Sequence, residues 1–212
     1  MSHEGTDFLY PFIDGDERDA SALLKDLAAS ARGKADDSKN LRVATLERCA
    51  PDLEVAAEAL ANTFRAGGRL FVFGNGGSAT DAAGVAALFR TPPWGVQLPV
   101  RSLVADEAIL TALGNDVGFE LVFSRQLIAH ARRGDAAMGI STSGNSANLL
   151  TAFAEAQRLG LLTIGIAGYD GGQMATIDLD HCLVVNADSV HRIQETEAAL
   201  MFALWSKVQT RL

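Results

Sequence analysis

The chain has 212 residues, 48% of them apolar and 21% charged, with a formal net charge of −8. That length suits one α/β domain with a full hydrophobic core plus an appended arm, and the composition argues against a disordered chain. The negative charge argues against a general binder of nucleic-acid backbones, while leaving room for a local anion site built from backbone N–H groups.

In chain order, the first forty residues differ from the rest. Phe8-Leu9-Tyr10-Pro11-Phe12-Ile13 is a short apolar cluster, and Asp14-Gly15-Asp16 reads as a turn. From about 19 to 34, Leu23, Leu24, Leu27 and Ala31 recur at helical spacing. Gly33 and the polar run 34–40 predict a break there. Helices are expected over 41–49 and, after Pro51, over 52–65, where Gly67-Gly68 stops the pattern.

Strand and helix then alternate. Strands are expected at 70–73, 100–104, 136–140, 162–166 and 181–185. Helices are expected at 81–88, 106–113, 119–132, 145–159 and 189–212. Short apolar strands alternating with helices imply an α/β fold whose parallel sheet is covered on both faces. Trp94, beside Pro92-Pro93, reads as an aromatic anchor in a surface loop.

Cys49 and Cys182 stand in unrelated contexts and read as reduced, partly buried thiols. His3, His130, His181 and His191 show no zinc-module spacing. The start Met1-Ser2-His3-Glu4-Gly5 has no leader pattern, and no apolar stretch reaches membrane-spanning length. The expectation is a cytoplasmic protein that binds neither membrane nor nucleic acid.

Two loops carry the chemistry. Gly74-Asn75-Gly76-Gly77-Ser78 lies between a predicted strand and a predicted helix. Its glycines permit close backbone approach to a ligand, and the Ser78 hydroxyl and free helix N–H groups suit an anion. The loop lacks the Gly-Lys-Ser/Thr of a nucleotide-binding P-loop, and Ala79 stands where the dinucleotide fingerprint has its third glycine. The second loop, Ser141-Thr142-Ser143-Gly144-Asn145-Ser146, offers four hydroxyls and an amide within six residues, again between strand and helix. Hydroxyls without lysine or arginine suit a phosphate monoester held partly by a helix dipole. The alternative is that Ser143 or Asn145 only caps the following helix.

Five motifs in unbroken order resemble the bacterial phosphoheptose isomerases of the sugar-isomerase (SIS) domain family. They are the first loop, Gly114-Asn115-Asp116-x-Gly118-Phe119, Gly139 through Asn148, Gly168-Tyr169-Asp170-Gly171-Gly172, and Arg192-Ile193-Gln194-Glu195. The resemblance implies a three-layer αβα sandwich with a five-stranded parallel sheet, expected over residues 41–212 after a helical arm at 1–40. It also implies a homo-oligomer, usually a tetramer, with sites at subunit interfaces. By resemblance Ser78, Ser141, Thr142, Ser143 and Ser146 hold a sugar phosphate, and Asn75, Gly76, Gly77, Asp116 and Gln194 line or support the pocket.

The chain departs from that family where proton transfer and metal binding occur. The family helix after the first loop carries a histidine and, four residues later, a glutamate; the matching residues are Gly84 and Leu88. The closing helix of the family carries a glutamine and, eight residues later, a histidine; here Gln194 remains and Phe202 replaces the histidine. Neither metal nor cofactor is therefore expected. Asp81, Gln194 and Glu197 are the remaining candidates for catalysis, against the plainer readings of Asp81 as a first-turn carboxylate and Glu197 as a solvated or salt-bridged helix residue. Three functions stay open: a phosphosugar-binding protein with lost or altered catalysis, a ketose/aldose phosphate isomerase with a rearranged acid–base set, and a protein-interaction subunit that recruits a partner through the N-terminal extension, related to the branch resembling the replication initiator-associating protein.

Overall fold

The structure, a computed structural model, describes residues 20–212. The apolar cluster at 8–13 and the turn at 14–16 lie outside the described residues. Helix α1 (Ala20–Arg48) runs unbroken through the expected stop. Gly33 is exposed with nothing near its Cβ position, so it costs the helix only about 1 kcal/mol of propensity, and no proline interrupts the run. The break comes instead at Cys49, just ahead of Pro51 in the first turn of α2 (Ala50–Arg65). Compact units divide between Lys39 and Asn40. In the first unit Leu23, Leu24 and Leu27 are exposed.

The second unit alternates strand and helix. Its elements are β1 (Leu70–Gly74), α3 (Gly77–Arg90), β2 (Val100–Ser102), α4 (Glu107–Asp116), α5 (Ser124–His130), β3 (Ala136–Ser141), α6 (Ala147–Leu159), β4 (Leu162–Gly168), β5 (His181–Val185) and α7 (Val190–Gln209). The helix expected over 119–132 is a 3-10 turn at Phe119–Leu121 followed by the short α5. It ends because Asp135 gathers the chain there, accepting from the Arg132 and Arg69 N–H groups at 3.0 and 2.8 Å.

The strands form one sheet in the order β2-β1-β3-β4-β5, every pairing parallel. Both faces are covered, so β1 and β3 are wholly buried. On one face Val72, Met138, Ile140 and Ile164 pack under Leu53, Leu60, Phe89, Leu204 and Trp205 from α2, α3 and α7. On the other, Phe71 and Phe73 meet Phe123, Leu127 and Phe153. Gly139 makes room there: a Cβ would come 2.6 Å from the Phe153 ring and 2.9 Å from Phe73. The fold is the αβα sandwich expected from the sequence. From β1 the chain turns outward to β2 and then back across to β3, so the two Gly/Ser loops flank the point where strand order reverses, the usual ligand crevice of an open α/β sheet. Among the described residues no helix is long and apolar enough to cross a membrane.

Candidate functional site

The first loop turns sharply off β1. Gly76 takes φ 53° as the residue before α3, a conformation that favours glycine. A Cβ on Gly77 would lie 2.1 Å from Gln194 Nε2, so the Gln194 amide from α7 rests on this loop. Ser78 is buried in the first turn of α3. Asn75 and Asn148 form a reciprocal amide pair: Asn75 Nδ2 donates to Asn148 Oδ1 at 2.8 Å, and Asn148 Nδ2 donates to Asn75 Oδ1 at 2.9 Å. Asn148 lies in the first turn of α6, so this pair ties the first loop to the second across the crevice.

The second loop gathers its hydroxyls. Ser141 Oγ lies 3.1 Å from Ser146 Oγ and 3.4 Å from Ser143 Oγ. Gly144 N donates to Ser141 Oγ, and Asn145 N to Ser143 Oγ, each at 3.2 Å. The cap of α6 is Ser146, not Ser143 or Asn145, and no side-chain hydrogen bond caps the helix. The plain capping role weighed from the sequence is thus not what these hydroxyls do. Thr142 is half-buried beside them and Ser143 is exposed. Gly144 has φ 63°, and a Cβ there would meet the Gly171 carbonyl oxygen at 1.9 Å. The Gly168–Gly172 motif therefore acts as a buttress, with Asn145 Oδ1 accepting from Gln173 N at 2.9 Å.

Helices α3 and α7 bring Asp81, Gln194 and Glu197 to one place. The solvated reading of Glu197 is wrong: it is fully buried, and neither carboxylate oxygen has a hydrogen-bond partner. Burial, reinforced by the nearby charge of Asp81, pushes its carboxyl up to about 8. Asp81 is half-buried with one oxygen unpartnered; desolvation raises its carboxyl, and a hydrogen bond with Gln194 partly offsets that. Gly84 faces open space, Leu88 is half-buried, and Phe202 is exposed with its ring 5.2 Å from that of Trp205. Trp94 also packs on Trp205, at 4.8 Å between ring centroids. The donor set does not fit the metal that the resemblance implies: Gly84, Leu88 and Phe202 offer no ligand atom, and Gln194 alone is a neutral amide. Among the described residues no three His, Cys, Asp or Glu side chains group as a metal site.

Asp116 is exposed at the end of α4, where it accepts from Asn115 Nδ2 at 2.7 Å. It is not among the residues lining the cleft beside the first loop. That cleft, about 380 Å³, is lined by Asn75, Gly76, Thr80, Val104, Leu110, Phe119 and others. Sequence reasoning did not single out Thr80, Val104, Leu110 or the amide role of Asn148. Their only signal is tertiary, because each becomes part of the site through a neighbour distant in the chain.

A SIS domain model matches residues 35–168. A phosphoheptose isomerase of Roseiflexus sp. (strain RS-1) is 41% identical over 172 residues, which span 79% of this chain and 86% of the relative. One of Trichlorobacter lovleyi is 43% identical over 170 residues, 78% of this chain and 85% of the relative. Among solved structures, phosphoheptose isomerase from Neisseria gonorrhoeae superposes with a TM-score of 0.81 at 34% identity, covering 87% of this chain and 99% of that one. The Francisella tularensis enzyme gives 0.82 at 28%, covering 86% and 98%. With these matches, the five-stranded parallel sheet and the two loops at its reversal point, the chain belongs to the SIS domain family and is of the phosphoheptose isomerase type.

Proposed function

We propose that this protein binds a phosphorylated sugar in the crevice between β1 and β3, as a homo-oligomer, and that it does not carry out metal-dependent heptose phosphate isomerisation. The observation that carries the reading is the cluster of Ser141, Ser143 and Ser146 hydroxyls around the uncapped start of α6. A phosphate there accepts hydroxyl and backbone N–H hydrogen bonds and sits on the positive end of a helix dipole. Thr142 and Ser78 border the same crevice, and Asn75, Gly76, Gly77 and Gln194 form its floor; Asp116 is proposed to reach it only from the α4 end. Sugar phosphates should raise the melting temperature in a thermal-shift panel. The Ser143→Ala/Ser146→Ala double variant removes two donors to an ionised ligand, each about 1.5 kcal/mol or more, so affinity should fall about a hundredfold with the fold intact. Unchanged affinity would defeat the phosphate cradle.

A second reading, an isomerase with its acid–base set moved to Asp81 and Glu197, is favoured by one observation: two carboxyl groups with raised affinity for protons, Glu197 without a hydrogen-bond partner and Asp81 with one oxygen unpartnered and a hydrogen bond with Gln194, lie beside the first loop. Asp81 is the more accessible of the two, and Glu197 would act through it. The test is incubation with sedoheptulose 7-phosphate followed by NMR. Turnover that Asp81→Asn abolishes establishes this reading; no turnover leaves the binding function.

A further inference from the structure

Asn75-Gly76 is the one asparagine–glycine pair in the chain. Asparagine is thermolabile because the following backbone nitrogen can attack its side-chain carbonyl carbon, and a following glycine, without a Cβ, leaves that approach open. The first loop presents the nucleophile. Gly76 is exposed, a Cβ built on it would meet nothing within 4 Å, and its N–H makes no hydrogen bond among the described residues. It stands between the end of β1 and the start of α3, so neither ladder nor helix claims that N–H.

The electrophile is the partner that the fold restrains. Asn75 is half-buried, and both polar atoms of its amide are taken by Asn148, at 2.8 and 2.9 Å. Asn148 is itself buried in the first turn of α6 and cannot follow Asn75 outward. To bring Cγ to Gly76 N, the Asn75 side chain must rotate away and give up both hydrogen bonds, with Asn148 left unsatisfied. We infer that Asn75 is a site of spontaneous deamidation through a succinimide, and that Asn148 is the positioning residue that holds the reaction back. In that reaction Gly76 N forms a bond to Asn75 Cγ, the Cγ–Nδ2 bond breaks, and ammonia leaves with the Gly76 proton. Water then opens the ring at either carbonyl, to aspartate or isoaspartate, with no change of oxidation state. Either product ends the reciprocal pair, since a carboxylate has no N–H to donate to Asn148 Oδ1. Isoaspartate also lengthens the backbone of a turn without slack, where a Cβ on Gly74 would already meet the Ser78 carbonyl oxygen at 2.6 Å. The first loop therefore carries a chemical clock whose rate an amide of α6 sets, whatever ligand the crevice takes.

The experiment is prolonged incubation of the full chain at mildly acidic and mildly alkaline pH, read by peptide mapping in a mass spectrometer together with isoaspartate-specific methylation. Asn148→Ala should deamidate at Asn75 about tenfold faster than the wild type, as expected when two amide hydrogen bonds no longer oppose the rotation. The rate should rise with pH, because the attacking nitrogen must lose its proton. Asn148→Ser, too short to hold both atoms of the Asn75 amide, should do the same and serves if the alanine variant does not fold. Asn115 and Asn186, both exposed and neither followed by glycine, are internal clocks in the same digest and should keep their wild-type rates. Equal acceleration at those two would mean general loosening and overturns the inference. So does a folded Asn148 variant that ages at Asn75 no faster than the wild type, or a wild type that ages there as fast as the chain unfolded in urea.

Discussion

Glu197 shows how much one buried carboxyl can say. Its folded pKa of about 8 lies above the usual 4.5, so the folded state holds a proton that the unfolded chain releases. Between those values the unfolded state binds fewer protons, and stability must fall as pH rises from about 4.5 to about 8. The full effect is on the order of 5 kcal/mol. Glu197→Gln cannot ionise, so its melting temperature should hold up at pH 8 to 9 where the wild type declines, with the difference vanishing near pH 5; parallel melting curves across that range would remove the buried-acid account. Gly139 makes an opposite prediction. Gly139→Ala places a Cβ against two phenylalanine rings that have no space to retreat, and should cost about 1–3 kcal/mol in urea unfolding.

At the scale of elements, α1 was mispredicted for a physical reason. Gly33 and the polar run after it look like a stop, yet a glycine on an exposed helix face only lowers propensity. Gly33→Ala should therefore gain about 1 kcal/mol of stability, read by thermal denaturation; a loss would mean that the glycine conformation matters. The strands and both Gly/Ser loops were legible in the sequence because apolar runs bounded by Gly/Ser clusters encode them locally. What was not legible is which faces meet. Glu197 looks solvated until α7 is laid between α2 and α3, and Asn148 looks like any helix-start amide until the order of β1 and β3 puts Asn75 opposite it. The lack of a ligand atom at Gly84, Leu88 and Phe202 was readable because it depends on residue identity alone. Its prediction is that Gly84→His/Leu88→Glu/Phe202→His gains stoichiometric zinc, measured by elemental analysis, while the wild type has none. Gly84 has open space for the new ring.

For the whole molecule, apolar side chains remain uncovered on several helices of the second unit: Val43, Val55, Phe202 and Trp94 beside it are all at least 44% exposed. Such surface suits contacts between copies of the chain, and light scattering at micromolar concentration should report a dimer or tetramer; a monomer would refute the oligomer. The reciprocal amide pair bridging the sheet's reversal point has a further consequence. Each amide donates to and accepts from the other, so neither can flip without losing both bonds, and the two walls of the crevice are locked at a fixed spacing before any ligand arrives. Binding then needs no closing motion, and the observed rate should rise linearly with ligand concentration in stopped flow instead of reaching a plateau. Asn148→Asp removes one donor and sets an anion beside the hydroxyl loop. It should unfasten the walls, slow association and bring in the concentration-independent step that the native strut suppresses.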